Sequence, residues 1–328
     1  MRLSHALCAA ALGAVLVPAT GAIAQTPAPI PDHQQMGTAR SAGFYVMRVG
    51  RFKVVALLDG LQTMPFDKQL VRTTPAHVRD RMADYFLPTT VPLSTNAFLI
   101  KGEGRRILVD TGAGGFIDGK VGLLQQRLAA AGYKPEDITD IILTHFHFDH
   151  AGGLVKNGAI AFPNAMLQVS RIEAEHWFSP AARAAAAANQ QPTFQAAPKM
   201  IGPYRAAGKL QMRDDGYAVA PGVTMLLRPG HTPGSVVVKL DSDGQTMLFM
   251  GDLLHSEEVQ FAETGVAFAF DENKNNAVTS RRRTFAEAAD KGSWLAFAHV
   301  SFPGIGHIRS DGQGYRWMPT QYGVDAIE

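Results

Sequence analysis

The sequence has almost no cysteine: Cys8 is the single thiol among 328 residues. It lies in a start region typical of a secretory signal, in which Arg2 precedes an apolar stretch over Ala6–Val17 and the small-x-small cleavage pattern Ala22–Ala24. We predict a signal peptide over 1–24 and a mature chain that is periplasmic or secreted. Because cleavage removes Cys8, the mature chain would have neither disulfides nor thiolate metal ligands.

Long hydrophobic runs and an excess of one charge are also missing. The stretch Ala6–Val17 is too short to span a bilayer, and no later segment offers the uninterrupted apolar run that spanning requires. We therefore expect no membrane anchor. Lysine and arginine number 31 against 29 acidic residues, a formal net charge of +2, which gives no sign of nucleic-acid binding. The basic cluster Arg281–Arg283 is interpreted as a solvated helix face.

The remaining composition predicts one large domain. Residues 25–43 are rich in proline, glutamine and small residues, which indicates a flexible arm. Residues 44–328 exceed a typical domain, but a layered fold with two sheets can hold them as one unit. The order of hairpin, helix and polar loop occurs twice, which predicts an α/β fold of two similar halves packed sheet to sheet with helices outside. The alanine-rich helical segment at about 170–208 is the predicted lid.

Local patterns predict individual elements within that domain. Alternating and β-branched residues indicate strands, and Gly or Asp-Gly turns between them indicate hairpins. A helix is expected from about Asp118 to Ala131, closed by Gly132. The expected strands are Tyr45–Val49, Phe52–Leu58, Ala97–Lys101, Arg105–Val109, Ile138–Leu143, Val223–Leu227, Ser235–Leu240 and Gln245–Met250.

The run Thr144–His150 packs three histidines and one aspartate directly behind an apolar strand pattern. Histidine is the commonest metal ligand, and titratable groups beside a buried strand need partners or a cation to offset their desolvation. Side chains two apart on an extended segment point the same way, so His145, His147 and Asp149 can converge while a bend re-aims His150. We interpret the run as half of a two-metal hydrolytic site. A solvated histidine-rich loop without metal is the alternative.

Further ligand-type residues follow three other apolar runs: His231, Asp252 and His299. Taken singly, His231 could be a turn residue and Asp252 a helix cap. Loops at one end of a rigid sheet collect functional groups, so all candidates can meet along one edge. An oxygen and nitrogen donor set with open positions suits zinc, with manganese, iron or cobalt as alternatives. The expected sets are His145, His147 and His231 for one metal, Asp149, His150 and His299 for the other, and Asp252 with a hydroxide bridging both.

The pattern H-x-H-x-D-H with a downstream His, Asp and His at strand ends resembles the metallo-β-lactamase superfamily. The resemblance implies a four-layer αβ/βα sandwich, in which two mixed sheets pack face to face and two metals lie at one edge. From about Phe44 onward the chain resembles the methyl parathion hydrolases and related exported organophosphate hydrolases. The stretches that carry this likeness are Leu108–Gly112, His231–Gly234, Gly251–Leu253 and Ser301–Arg309.

The resemblance gives the same seven metal ligands and adds supporting residues. It implies an aromatic pocket wall of Phe116, Trp177 and Phe194, for which plain core aromatics are the alternative. Asp110 resembles a carboxylate that accepts the other ring N–H of a ligating histidine, with turn capping as the alternative. His255 stands where a relative has leucine, and it would protonate a leaving group beside the substrate; a surface histidine is the alternative.

These features predict a dinuclear-metal hydrolase in which Asp149 and Asp252 help to hold an attacking hydroxide. The expected partners are small apolar phosphotriesters, aryl esters or lactones, and a homodimer is compatible with the resemblance. The main alternative is a lactonase with only promiscuous phosphotriesterase activity. Further alternatives are a β-lactamase, an iron-dependent redox enzyme on the same scaffold, and a non-catalytic binding protein.

Overall fold

The computed structural model describes residues 42–117 and 119–322. The predicted signal peptide 1–24 and nearly all of the predicted arm 25–43 lie outside the described residues. So does Asp118, at which a helix was expected to begin. Among the described residues, no helix combines the length and the apolar character needed to cross a membrane.

The described residues form eighteen strands. In chain order they are β1 (Phe44–Val49), β2 (Phe52–Pro65), β3 (Leu70–Val71), β4 (Thr90–Gly102), β5 (Arg105–Val109), β6 (Asp140–Ile142), β7 (Val155–Lys156), β8 (Ala159–Ile160), β9 (Met166–Ser170), β10 (Leu210–Arg213), β11 (Ala218–Ala220), β12 (Val223–Leu227), β13 (Val236–Ser242), β14 (Gln245–Phe249), β15 (Ala267–Phe268), β16 (Trp294–Ala296), β17 (Ile305–Asp311) and β18 (Gly314–Pro319).

The helices lie between and outside these strands. They are α1 (Phe66–Gln69), α2 (Pro75–Ala83), α3 (Leu124–Ala130), α4 (Phe148–Ala151), α5 (Arg171–Trp177), α6 (Pro180–Ala185), α7 (Gln191–Ala206), α8 (Glu257–Gln260) and α9 (Lys274–Lys291). The helix predicted from about Asp118 to Ala131 is shorter than expected, since α3 begins at Leu124. Gly119 and Gly122 precede it with φ of 119° and 83°, values that cannot continue a right-handed helix.

Two mixed sheets of seven strands confirm the predicted architecture. The first has the order β1-β2-β4-β5-β6-β9-β10, and the second has the order β11-β12-β13-β14-β16-β17-β18. In the first sheet β5, β6, β9 and β10 are parallel neighbours; in the second only β14 and β16 pair in parallel. Each parallel pair requires a crossover, which brings helices onto the sheet faces.

Alternating residues of the strands fill separate cores, as a two-sided strand requires. Val54 and Ala56 of β2 pack between the two sheets, together with residues of β12, β13 and β14. Val55 and Leu57 point the other way, against α3, α5 and α7. Residues of α9 cover the outer face of the second sheet. The layers are therefore helix, sheet, sheet and helix, with the apolar area removed from water as the main stabilising contribution.

The two predicted hairpins are confirmed, and their turns are tighter than expected. Gly102 pairs with Arg105 and leaves Glu103–Gly104 as a two-residue turn with φ of 50° and 70°. Asp243–Gly244 connects β13 and β14 in the same way, with φ of 49° and 76°. Positive φ at both central residues matches the twist of the flanking strands, and glycine adopts it without steric cost.

The pair formed by β2 and β4 is longer than the sequence indicated. Strand β2 was expected to end at Leu58, but it continues to Pro65 and pairs with β4 as far as Thr90. A register shift between Leu58 and Gly60 separates the sheet portion from this extension. We call residues 61–65 and 90–95 the β2–β4 ribbon. It projects beyond the sheet at the edge where the ligand loops lie.

The segment 170–208 is helical as predicted, but most of it belongs to the outer layer. Phe194, Met200 and Tyr204 of α7 are fully buried against the first sheet. Only the junction between α6 and α7, at residues 189–193, borders the cavity described below. The lid stays a prediction for that junction.

Glu173 joins the two halves of the fold. Its buried carboxylate accepts hydrogen bonds from the backbone N–H of Phe146 at 2.9 Å and from the indole N–H of Trp177 at 2.7 Å. Its second oxygen accepts from Thr232 Oγ1 at 2.6 Å and from the backbone N–H of Gly234 at 3.0 Å. The loop after β6 and the loop after β12 are thereby held on one side chain of α5.

We predict that Glu173→Gln lowers the free energy of unfolding by about 3 kcal/mol. One hydrogen bond to a charged group contributes about 1.5–3 kcal/mol, and the N–H group of the glutamine amide would face groups that are themselves donors. Urea unfolding followed by circular dichroism measures the change. Glu175→Gln is the matched control, since Glu175 is exposed on the same helix; its effect should stay within about 0.5 kcal/mol. Equal losses in the two variants would contradict the bridging role.

Candidate metal centre

The ligand-type residues lie in loops at one edge of the sandwich. The run Thr144–His150 follows β6, and His231, Asp252 and His299 follow β12, β14 and β16. Backbone hydrogen bonds join two of these loops to strands of the opposite sheet. The N–H of Val236 donates to the carbonyl of Thr144 at 3.0 Å, and the N–H of Asn96 donates to the carbonyl of Ala298 at 2.9 Å.

The first donor group contains three imidazoles and one carboxylate. His147 Nδ1 lies 3.0 Å from His145 Nε2 and 2.9 Å from His231 Nε2. Asp252 Oδ2 lies 3.1 Å from His231 Nε2 and 3.6 Å from His145 Nε2. Tetrahedral zinc with bonds of about 2.0 Å separates its ligand atoms by about 3.3 Å. The observed distances scatter around that value.

The second donor group contains Asp149, His150 and His299. Asp149 lies 3.7 Å from His150 Nε2 through Oδ1 and 3.4 Å from His299 Nε2 through Oδ2. Asp252 Oδ1 completes the group, at 3.0 Å from His150 Nε2 and 3.3 Å from His299 Nε2. Asp252 thus presents one oxygen to each group, which is the arrangement expected of a bridging ligand.

Unpaired polar atoms show that the residues present fit metal ions. His150 Nε2 and Asp252 Oδ1 are buried and have no hydrogen-bond partner. Burial, together with the neighbouring His231, lowers the pKa of His147 to about 3, so its ring is neutral at pH 7 and offers a lone pair. Although burial acts in the opposite direction, the Asp252 carboxylate raises the pKa of His231 to about 10. The edge therefore attracts positive charge, and a divalent cation in each group would satisfy it.

Asp110 orients the second group from behind. His150 Nδ1 donates to Asp110 Oδ2 at 2.8 Å, which leaves His150 Nε2 free to act as a ligand. Thr144 donates to the same carboxylate through its backbone N–H and its hydroxyl, both at 2.8 Å. The Thr144 hydroxyl in turn lies 3.1 Å from His145 Nδ1. This arrangement is the one expected of a carboxylate that fixes a ligand tautomer.

Two other ligands have anchors that the sequence did not indicate. His231 Nδ1 donates to Asp271 Oδ1 at 2.9 Å, and Asp271 also accepts the backbone N–H of Phe268. His299 Nδ1 donates to the backbone carbonyl of Ser94, in the β2–β4 ribbon, at 2.8 Å. Both bonds leave the Nε2 atoms facing the donor groups.

The structure brings all seven predicted ligands together, and within each group the donor atoms lie within 4.8 Å of one another. His255 joins them, since Asp252, His255 and His299 satisfy the same criterion. The surface alternative for His255 was wrong, because the residue is buried with its Nε2 3.1 Å from Asp252 Oδ2. Its ring stacks on Phe268 with the centroids 3.8 Å apart.

A cavity of about 320 Å³ opens over both donor groups. Apolar side chains form its wall around the polar floor of ligands. The apolar wall consists of Met64, Leu93, Ile117, Phe148, Pro192, Phe268 and Phe270, and Gln62, Asn189 and Thr193 add polar groups.

The predicted pocket wall of Phe116, Trp177 and Phe194 was wrong, because none of the three lines this cavity. Trp177 is fully buried behind His147, with the ring centroids 5.8 Å apart, and Phe194 packs on Trp177 at 4.5 Å. Phe116 lies behind Phe148 at 6.2 Å. These aromatics support residues of the site from the core side.

The prediction for the basic cluster was also wrong at one position. Arg281 is fully buried, and its guanidinium donates to the backbone carbonyls of Leu253, Thr264 and Val266. Arg282 and Arg283 are exposed as expected. Arg281 therefore fastens the loop that begins at Asp252 to α9.

Comparison with known proteins is consistent with this geometry. Residues 90–299 match the family model described as "Metallo-beta-lactamase superfamily". The N-acyl homoserine lactonase AiiA of Bacillus thuringiensis subsp. kurstaki is 31% identical over 172 residues, which are 46% of this chain and 60% of that protein. The chain thus spans about three fifths of the length of this curated relative.

Two solved structures are similar over nearly the whole described chain. The crystal structure of hydrolase AbOPH in the beta-lactamase superfamily is 33% identical, with a TM-score of 0.83, and the alignment covers 87% of this chain and 100% of that one. The structure of AidC, a dizinc quorum-quenching lactonase, in complex with a product is 28% identical, with a TM-score of 0.79 and coverage of 86% and 98%.

We predict that Asp110→Asn weakens zinc binding at the second group about 10- to 100-fold, the usual cost of losing a partner behind a ligating histidine. The amide presents a donor to His150 Nδ1 and to Thr144, so the ligand tautomer is no longer fixed. Competition against a chromophoric chelator measures the zinc dissociation constants. Asp290→Asn, at an exposed position of α9, is the control. An affinity equal to that of the unchanged protein would show that Asp110 serves only the turn.

Proposed function

The chain belongs to the metallo-β-lactamase superfamily, and from this premise we propose that it is a metal-dependent lactonase. The observation that carries the proposal is the pair of donor groups joined by Asp252 beneath an apolar cavity. A hydrolytic site needs an activated water, a group that stabilises the developing oxyanion and a wall that holds the organic part of the substrate. The described residues offer a place for each.

The relatives favour lactones over phosphotriesters. The curated relatives that match the chain include N-acyl homoserine lactonases, and one of the similar structures is a quorum-quenching lactonase with its ring-opened product. The alternative made from the sequence, a lactonase with promiscuous phosphotriesterase activity, is thus better supported than the organophosphate hydrolase first expected. No relative reported above is described as a methyl parathion hydrolase.

Two zinc ions are the metals we propose for the site. His145, His147 and His231 would hold one, and Asp149, His150 and His299 the other. Five imidazole nitrogens and two carboxylates form a donor set suited to zinc, and a dizinc centre is described for AidC. Bound there, the ions would supply Lewis-acid polarisation of the carbonyl and would lower the pKa of the attacking water.

The protein's own contribution is position and exclusion of water. Asp252 faces both donor groups at the floor of the cavity, so it fixes the distance between the two groups. Phe148, Phe268 and Phe270 border the cavity and would remove apolar parts of the substrate from water. In such a dry cavity the electrostatic interactions with the developing oxyanion are stronger than in water.

For His255 we propose a role different from the predicted protonation of the leaving group. Burial lowers the pKa of His255 to about 4, so its imidazole is neutral at pH 7 and does not supply the imidazolium that leaving-group protonation would require. Its Nε2 faces Asp252 Oδ2 at 3.1 Å, and Phe268 covers its ring. We propose that His255 fixes the bridging carboxylate and forms part of the cavity floor.

We expect lactones to give the highest kcat/KM in a panel of an acyl-homoserine lactone, an aromatic lactone, an aryl acetate, a methyl phosphotriester and a cephalosporin. The reason is that N-acyl homoserine lactonases are among the relatives, and metal ions at the floor of the apolar cavity would polarise a carbonyl oxygen. Each substrate is assayed before and after chelation. The chelated protein should lose all hydrolysis, melt at a lower temperature because its ligands are left unpaired, and recover both properties with zinc.

Matched histidine variants sharpen this experiment. His231→Ala should abolish hydrolysis, whereas His77→Ala, at an exposed position of α2, should leave it unchanged. A phosphotriester preferred over every lactone would overturn the proposed substrate class. Full activity in protein that metal analysis shows to be empty would overturn the metal centre.

A further inference from the structure

We infer that Gln62 determines specificity: its amide is fixed on Asp149, so its Oε1 acts as an acceptor for an N–H group next to the scissile carbonyl. The inference rests on the proposed function and deepens it. Gln62 would favour lactones that carry an amide on the ring carbon beside the carbonyl over lactones that do not. Gln62 lies in the β2–β4 ribbon and borders the cavity.

Both hydrogens of the Gln62 amide are used. Nε2 donates to Asp149 Oδ2 at 2.7 Å and to Thr95 Oγ1 at 3.0 Å. A primary amide has only two N–H donors, so the nitrogen has no capacity left for a substrate. What Gln62 can still offer is the carbonyl oxygen.

The orientation of that oxygen is fixed by the partner. If the amide were turned around, Oε1 would lie about where Nε2 now faces a carboxylate oxygen, and two acceptors would repel each other. Asp149 in turn cannot rotate away without leaving His150 and His299. Among the described residues no hydrogen bond to Gln62 Oε1 occurs, and Gln62 is only half-buried. The oxygen therefore remains an accessible acceptor beside the second donor group.

Substrate chemistry provides a matching donor. In an acyl-homoserine lactone the amide N–H is on the ring carbon bonded to the lactone carbonyl, so it lies a few ångströms from the reacting carbon. Gln62 Nε2 lies 2.7 Å from Asp149 Oδ2, so its amide borders the second donor group, beside which the lactone carbonyl would bind. Around it the wall is largely apolar, and an amide N–H buried there without an acceptor would cost binding free energy. A plain alkyl lactone carries no such N–H.

The test compares two variants on two substrates. Gln62→Met keeps the size of the side chain but removes the acceptor and both donors, and Gln62→Glu keeps an acceptor while it loses the donors to Asp149. The substrates are an acyl-homoserine lactone and an alkyl lactone of similar length. Any effect that acts through Asp149 is common to both substrates, so it cancels in the ratio of their kcat/KM values.

We define the ratio as kcat/KM for the acyl-homoserine lactone divided by kcat/KM for the alkyl lactone. For Gln62→Met we expect this ratio to fall about 10- to 100-fold, the effect of one lost hydrogen bond in a cavity. Gln62→Glu should lose activity on both substrates and change the ratio less than Gln62→Met does. Gln126→Met, at an exposed position of α3, should leave the ratio unchanged. An unchanged ratio in Gln62→Met, with zinc affinity reduced, would overturn the inference and leave Gln62 as a support of Asp149.

Product binding provides a readout that does not need turnover. Calorimetry with ring-opened N-acyl-homoserine and with its N-methylated analogue should show tighter binding of the N–H compound to the zinc-loaded protein, and Gln62→Met should remove that preference. If the unchanged protein hydrolyses no lactone but shows the preference, the proposed function fails while the role of Gln62 stands. If lactones are hydrolysed and no preference exists, the inference fails alone.

Discussion

The contact on which the structure depends is the convergence of Asp252 with imidazole nitrogens from both halves of the sandwich. One oxygen of Asp252 faces His145 and His231, and the other faces His150 and His299. Buried lone pairs about 3 Å apart repel unless a cation lies between them. The two sheets, the loops at their edge and the cavity thus surround a cluster of donor atoms. These donors repel one another in the absence of a cation and are stabilised when a cation binds between them.

A set of buried carboxylates keeps these side chains in position, and each carboxylate accepts hydrogen bonds from several donors. Glu173 takes hydrogen bonds from loops of both halves, and Asp110 and Asp271 each hold one ligating ring and one backbone N–H. Asp59 accepts three backbone N–H groups from residues 113–124 at 2.9 Å each, which fixes a loop beside the β2–β4 ribbon. Buried carboxylates are costly unless hydrogen-bonded, and here the bonds that compensate them also set the positions of the ligands.

The sequence was sufficient to predict the sandwich and the convergence of the seven ligand-type residues, because both follow from local rules. A strand pattern ending on a ligand-type residue is visible without tertiary information, and loops at the same ends of strands meet at one edge. The cavity wall was not predictable in this way. Gln62 and Leu93 reach it only because β2 and β4 pair beyond the register shift at Gly60, and Phe268 reaches it from β15, a two-residue strand that pairs with β3. The resemblance placed Trp177 in the wall, but the residue belongs to the core, since a family likeness does not tell which face of α5 is covered in this chain.

The anchor of His299 has a consequence for how the two halves of the centre tolerate genetic change. His150 and His231 are oriented by the side chains of Asp110 and Asp271, so a single codon change at either position removes the anchor. His299 donates instead to the main-chain carbonyl of Ser94, a group that every amino acid supplies. Evolution can therefore vary Ser94 and still retain this bond, and only a shift of the strand itself would break it.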